Sequence, residues 1–311
     1  MQEPTRAAES GISAVPQFDP IIVNRRRRPC GRAIKVVQFN ARGGVKVEGI
    51  IRCLRRPPLA GADVIMLCEA AWRHPYSGYR EFAREVADAL EMSFVYLPQF
   101  KPREPRDPAT SLGSALLCGQ PFADVRGIPL PTRPLQPRVR RMIGGPAGLA
   151  ARAMFGNKSI WLGVIHLNSR WTPAGRATQM AAFLAGCPSG PMVIGGDFNS
   201  TTLGLSGPGA FRKAALTFVR EPRRLSNPVP WEPAFELLRE AGFTLDQANV
   251  AGKRTFTFSR FLPPPLRPNL DWLMLRGMSA VNGSAKVVRA QPSLLSPRVS
   301  DHDFILCEVE L

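Results

Sequence analysis

Apolar positions along this chain come in short blocks, most of them four to eight residues long and closed by a polar or glycine residue. Such blocks read as strands buried on both faces rather than as long amphipathic helices. The pattern predicts strands over 34–39, 64–68, 94–97, 114–118, 160–167, 192–194, 255–258, 272–275, 285–288 and 304–309. Helical spacing recurs over 79–91 (Phe82, Val86, Ala89, Leu90), 173–186 (Ala177, Met180, Ala181, Leu184) and 233–241 (Phe235, Leu237, Leu238). A further short helix over 44–56 is stopped by Pro57-Pro58. Segment 101–110 reads as a loop rich in proline and charge, and 125–143 as an exposed strand and turn. Many short strands with few helices and no repeat predict two sheets packed face to face with helices outside, in one domain of about 280 residues.

Boundaries follow from composition. Residues 1–32 are polar and aperiodic and end in Arg25-Arg26-Arg27-Arg28, so they read as a disordered basic arm before an ordered domain at 33–311. Within that domain, 204–232 is a basic, proline-containing insertion. Hydrophobic content of 44% is that of a globular chain. No apolar run approaches the ~20 residues of a membrane span, and the leader lacks the order of a signal peptide, so the expected location is cytoplasmic. The six cysteines are scattered without a CxxC pair and read as reduced, mostly buried residues.

Charge narrows the partners without choosing among them. The formal net charge is +17, which attracts polyanions: nucleic acid first, an anionic lipid surface second. Seven of the 41 basic residues are lysine and 34 arginine, a skew that a GC-rich genome also produces. No segment marks a protein partner.

The most informative stretch is Val193-Ile194-Gly195-Gly196-Asp197-Phe198-Asn199-Ser200. In a strand, residues i and i+2 share a face, so Asp197 and Asn199 can meet one ligand while Phe198 packs away. Equally, Gly, Asp and Asn are turn residues, and the stretch could close a hairpin. Other strand ends break the tie. Asn40 ends one strand and Glu69 another, His166 closes Gly-Val-Ile-His, Asp271 lies in Asn-Leu-Asp-Trp, and Ser300-Asp301-His302 precedes the last strand. Polar groups closing apolar strands are costly unless something ligates them.

In order and wording these segments resemble the endonuclease/exonuclease/phosphatase family, which includes deoxyribonuclease I, exonuclease III, sphingomyelinases and inositol polyphosphate 5-phosphatases. The resemblance covers about 34–311 and rests on Asn40, Glu69, Gly196-Asp197-Phe198-Asn199, Leu270-Asp271-Trp272 and Ser300-Asp301-His302 taken jointly. It implies a four-layer α/β/β/α sandwich of two mainly antiparallel sheets. It also implies a hydrolase of phosphoester bonds that uses Mg²⁺, with Mn²⁺ as the alternative. By the same resemblance Glu69 is the principal metal ligand, with Asn40 and Asp301 near the same ion. His302 is the general base, oriented by Asp271. Asp197 orients or helps activate the attacking water, and Asn199 and His166 contact the scissile phosphate. Arg42, two residues after Asn40, matches an arginine that faces the phosphate in the deoxyribonuclease-like branch; a plain solvated arginine is the equal alternative. His74 reads as a loop histidine without a role.

Two substrates remain open at this level. A nuclease is favoured by the arginines at 25–28, by Arg138, Arg140 and Arg141, and by the insertion's Arg212, Lys213, Arg220, Arg223 and Arg224. Hydrolysis of a phospholipid, an inositol phosphate or another small phosphoester is favoured by the lack of a base-reading module and by the apolar Phe261–Pro265 run. An inactive binding scaffold is disfavoured because every catalytic position holds a competent residue.

Overall fold

The computed structural model describes residues 18–105, 107–132, 142–201, 212, 216–217, 219–257 and 267–311. The Arg138–Arg141 run, the Phe261–Pro265 run, most of 202–218 and the first 17 residues of the expected arm lie outside the described residues.

Two sheets form. The first holds β1 (Ile21–Val23), β2 (Ala33–Asn40), β3 (Val64–Trp72), β4 (Ser93–Pro102), β5 (Ser111–Cys118), β7 (Met142–Gly144), β12 (Lys286–Val288) and β13 (Phe304–Glu310), in the order β1-β4-β5-β3-β2-β13-β12 with β7 also on β4. The second holds β6 (Phe122–Pro129), β8 (Ala147–Phe155), β9 (Lys158–His166), β10 (Met192–Asp197) and β11 (Asp271–Arg276), in the order β11-β10-β9-β8-β6. Helices α1 (Val47–Leu54) and α2 (Phe82–Ala89) cover the first sheet; α3 (Pro173–Gly186) and α4 (Pro233–Glu240) cover the second.

Period-2 alternation explains why the strands are apolar throughout. Val36, Val64, Met66 and Cys68 point into the inter-sheet core with Leu162, Val164, Val193 and Leu273. Their neighbours Val37, Phe39, Ile65 and Leu67 point outward onto Ile50 of α1 and Phe82 and Val86 of α2. Ile165, Ile194, Trp272 and Met274 likewise meet Met180 and Phe183 of α3 and Phe235 of α4. This is the expected four-layer sandwich, with the parallel pairs β2–β3 and β9–β10 set among antiparallel ones.

Three elements depart from the sequence reading. β8 was not anticipated, because Ala147-Gly-Leu-Ala-Ala-Arg-Ala-Met-Phe155 is poor in strand formers. Its small residues are what the packing requires: a Cβ on Gly148 would lie 2.2 Å from the Phe183 ring of α3. The segment before residue 33 is not uniformly disordered, since β1 pairs with β4 through Ile21↔Tyr96 and Val23↔Phe94. Finally, 255–257 forms only an isolated bridge, Phe256↔His302; residue 258 lies outside the described residues.

Candidate active site

The two parallel pairs point their carboxyl ends at the same edge of the sandwich. β2 and β3 deliver Asn40 and Glu69, while β9 and β10 deliver His166 and Asp197. The antiparallel neighbour of each pair starts at that edge: Asp271 opens β11 directly across from Asp197, and His302 stands two residues before β13. Six polar side chains from two sheets therefore converge because of strand direction alone.

Glycine makes the convergence close enough. A Cβ on Gly196 would lie 1.9 Å from the Ile165 carbonyl oxygen, and one on Gly195 2.5 Å from Met66 Sδ and 3.1 Å from Gln38 Cγ. Gly195 thus lets the first sheet approach and Gly196 lets the neighbouring strand β9 approach, rather than closing a hairpin. Asp197 pairs in register with both His166 and Asp271, which decides the sequence ambiguity for a strand end.

Asp271 and His302 form the tightest contact, with His302 Nδ1 2.7 Å from Asp271 Oδ2. Asp271 is fixed from behind by Gln38 Nε2 (3.1 Å) and by Thr255, whose Oγ1 accepts from the Asp271 N–H at 3.1 Å. The other ring nitrogen of His302, Nε2, lies 3.6 Å from Asp197 Oδ2, and the Phe256 ring meets the imidazole edge-on at 4.8 Å. Burial opposes charge on His302, but the carboxylates of Asp271 and Asp197 outweigh it and push its pKa up to about 10. Burial pushes the Asp197 carboxyl up as well, against the pull of His302.

Asn40 bridges the acids. Its Nδ2 donates to Asp197 Oδ2 (2.9 Å) and Glu69 Oε1 (3.1 Å), and its Oδ1 accepts from the Arg42 N–H (3.0 Å). Glu69 sits on a bulge of β3 with φ 50° and a side chain 42% exposed. His166 Nε2 stands between the acids, 3.6 Å from Asp197 Oδ2 and 3.9 Å from Glu69 Oε1. Arg42 (φ 49°) and Asn199 (φ 48°) are also left-handed. Three of the seven non-glycine residues with positive φ among the described residues therefore stand at this edge.

Two expected residues take unexpected postures. Asn199 turns inward: its Nδ2 donates to the Leu167 carbonyl at 2.8 Å and its N–H to Asp197 Oδ1 at 3.0 Å, so it braces the turn rather than facing open space. Asp301 stands apart from Glu69's direct contacts, with its Oδ2 3.6 Å from Arg42 Nε. Sequence reasoning missed Gln38 and Thr255, and gave Ser300 a place in the Ser300-Asp301-His302 motif but no role. Ser300 Oγ donates to the Asn40 carbonyl at 2.8 Å and accepts from the His302 N–H at 3.2 Å, clasping the two sheet ends. Of the two missed residues Gln38 left a signal, as an amide within the apolar run Val36 to Phe39.

Divalent cations of the hard type take oxygen ligands; Glu69 and Asp301 carry carboxylates with exposed surface, whereas Asn40 is buried and its Oδ1 already accepts the Arg42 N–H. Asp197, Asp271 and His302 also bring ligand atoms within 4.8 Å of one another, but Asp271 is already bonded to His302, and Asp197 to Asn40 and Asn199. The six cysteines lie in no disulfide.

The arginine run is placed against expectation. Arg25 N–H donates to Ser93 Oγ at the start of β4, and Arg28 N–H to the Gly119 carbonyl past the end of β5. Gly119 in turn donates to Asp63, just before β3. The run therefore lies at the opposite end of the sandwich, roughly 20 Å from Glu69 at ~3.3 Å per strand residue.

With this geometry in hand, solved structures supply the comparison. An endonuclease/exonuclease/phosphatase from Beutenbergia cavernae superposes with TM-score 0.62 at 16% identity, over 90% of this chain and 72% of that one. The chain has the endonuclease/exonuclease/phosphatase fold. D. rerio TDP2 in complex with a single-strand DNA product shares this fold (TM-score 0.55, 16% identity, 90% and 100% covered). So does the catalytic domain of human Nocturnin with a bound sulfate (TM-score 0.55, 15% identity, 94% and 97% covered). No protein-family model and no curated protein matches the sequence. Among the described residues no helix is long and apolar enough to cross a membrane.

Proposed function

We propose that this chain is a divalent-metal-dependent phosphoesterase that hydrolyses phosphodiester bonds of nucleic acid. The observation that carries the reading is the relay Asp271–His302–Asp197, opening toward Asn40, Glu69 and His166 at one sheet edge. A buried imidazole between two carboxylates has no purely structural purpose that one carboxylate would not serve.

The residues divide the work as follows. Asp271 accepts the Nδ1 proton of His302 and fixes the ring so that Nε2 faces Asp197. His302 Nε2 and Asp197 Oδ2, 3.6 Å apart, titrate as a coupled pair, and this pair takes the proton of the attacking water. His166, between Asp197 and Glu69, donates to a phosphate oxygen or to the leaving oxygen. Asn199 holds the Asp197 carboxylate in place through its N–H, and any phosphate contact it makes is secondary to that role. Arg42, with its side chain 65% exposed beside Asp301, supplies positive charge at the mouth. Mg²⁺ or Mn²⁺ would be held by Glu69, Asp301 and Asn40 Oδ1, and when bound supplies Lewis-acid withdrawal of charge from the phosphate.

Nucleic acid is the favoured carrier because Lys46 and Arg298 adjoin Arg42 and Asp301 in a second cleft of about 440 Å³, and phosphate contacts of this kind bind without reading sequence. The D. rerio TDP2 structure with single-strand DNA product supports the same choice.

The test is a substrate panel: supercoiled plasmid, single-stranded DNA, RNA, phospholipid and inositol phosphates, each with Mg²⁺ and with chelator. Nicking or chain cleavage that stops with chelator and in His302→Ala supports the proposal. Turnover of lipid or inositol phosphate without cleavage of any nucleic acid would replace the substrate, and no metal-dependent turnover at all would sink the enzyme.

A further inference from the structure

A cavity of about 450 Å³ runs from Glu69 and His166 away from the relay. Its far walls are not charged. They are Tyr76, Phe100 and Leu112, with Gln99 at the polar side and Gly43 beneath. We propose that this cavity is a subsite for a flat aromatic ring attached to the scissile phosphate. The inference rests on the phosphoesterase reading and names what its substrate carries next to the reacting group.

Tyr76 is the reason for a ring. It is 64% exposed at the wall of the cavity, yet it is held in place. His74 caps the short 3₁₀ turn Pro75–Ser77 by accepting the Tyr76 N–H on Nδ1 at 3.2 Å, and its imidazole packs on the Tyr76 ring with centroids 4.4 Å apart. Burial lowers the His74 pKa, keeping Nδ1 an acceptor. Gly43 at φ 72° brings the backbone to the base of the ring, where even a Cβ would sit 3.5 Å from Tyr76 Cβ. A rigid, exposed aromatic face is thus presented beside the site, and His74, which the sequence left without a role, positions it.

The opposite wall comes from the paired ends of β4 and β5, where Phe100 faces Leu112 across a bulge. Gln99 spends its Nε2 on Ser114 Oγ (3.2 Å) and the Ala147 carbonyl. No described residue donates to its Oε1, so an acceptor remains for a ring that carries a donor. Aromatic faces with one polar acceptor suit a nucleobase or an aryl ester, whereas an alkyl chain would use neither the stacking face nor the amide.

The test separates binding from chemistry. In the His302→Gln protein with Mg²⁺, affinities are measured by calorimetry for thymidine 5′-phosphate, phenyl phosphate, hexyl phosphate and inorganic phosphate. Both ring ligands are expected to bind about tenfold tighter than inorganic phosphate, the usual worth of one stacked ring, and hexyl phosphate to gain less. Adding Tyr76→Ala should bring the ring ligands down to the affinity that the same variant has for inorganic phosphate, while Tyr76→Phe keeps the gain. Thymidine phosphate above phenyl phosphate identifies a base reaching Gln99; the reverse identifies an aryl ester. The subsite is overturned if rings bind no tighter than phosphate, if the gain survives Tyr76→Ala, or if hexyl phosphate gains as much as phenyl phosphate. Failure of inorganic phosphate itself to bind would instead overturn the phosphoesterase reading together with the subsite.

Discussion

Two charge clusters in this protein are built by opposite rules. Arg176 of α3 and Glu232, at the start of α4, form a closed pair, with side chains 0% and 1% exposed and contacts at 2.5 and 3.1 Å. Arg176 Nε and Nη2 both meet the Glu232 carboxylate, and Nη1 donates to the Trp171 carbonyl. The cluster at the sheet edge is unbalanced. Glu69, Asp197, Asp271 and Asp301 face one guanidinium, Arg42, and two imidazoles. Asp271 is answered by His302, but Glu69, Asp197 and Asp301 share Arg42 and His166, and a fold that only needed stability would not gather carboxylates in such excess. The difference separates a buried ion pair from a cluster whose excess of carboxylates fits the cation proposed above.

The largest effect expected from that difference is on catalysis. Asp197→Asn and His302→Ala should each lower turnover by about 10²–10⁴-fold, the usual worth of a positioned acid–base group. Because Asp197 is a carboxylate that burial already disfavours, Asp197→Asn should be no less stable than the wild-type chain. Turnover and a thermal melt on the same preparation check both halves. An Asp197→Asn protein that unfolds early would mean that the edge cluster is structural after all. Next in size is the closed pair. Glu232→Gln should cost about 3–5 kcal/mol of stability by stranding a buried guanidinium, with turnover at low temperature nearly unchanged. Denaturant unfolding measures the first, and a large loss of turnover in still-folded protein would tie the pair to the site.

The two clusters were also unequally legible. Asn40, Glu69, His166, Asp197 and Asp271 each interrupt or close an apolar run, and an interruption is visible without knowing which strands adjoin. Arg176 and Glu232 sit in helical and loop segments where charge is ordinary, so nothing marked them as buried partners 56 residues apart. The same limit hid the braces of the site. Thr255 and Ser300 act through backbone contacts that only the tertiary arrangement creates. β8 escaped because alanine and glycine there answer to the α3 contact above them rather than to strand propensity. The arginine run was visible as charge, but its place depended on β1 pairing with β4, a long-range event that three residues, Ile21 to Val23, barely announce.

Cation binding sharpens the comparison from the other side. If the edge cluster is completed by a divalent ion, saturating Mg²⁺ should raise the melting temperature, by about 2.7 kcal/mol of stabilisation at a hundredfold excess over the dissociation constant. Glu69→Gln should lose most of that gain, whereas Glu232→Gln should keep it in full on its lower baseline. Differential scanning calorimetry with Mg²⁺ and with chelator reads both. Equal gains in the two variants would place the ion elsewhere than at Glu69.

The smallest expected effect concerns the far end of the sandwich. Arg26 and Arg27 are exposed and belong to the segment anchored at Ser93 and Gly119. At roughly 20 Å from the site they lie beyond the ~10 Å screening length of ordinary salt. Their field therefore reaches a substrate at Glu69 only weakly, however much they add to the net charge. Arg26→Ala with Arg27→Ala should change cleavage of a short oligonucleotide by less than about twofold at 0.1 M salt. A long polynucleotide that wraps from one end of the sandwich to the other would behave differently. Its affinity would fall in the double variant, and the slope of log affinity against log salt would flatten by about 0.9 for each phosphate that the protein no longer neutralises. Short and long substrates compared on the same variant thus decide whether the positive charge at that end serves nucleic-acid binding or only composition.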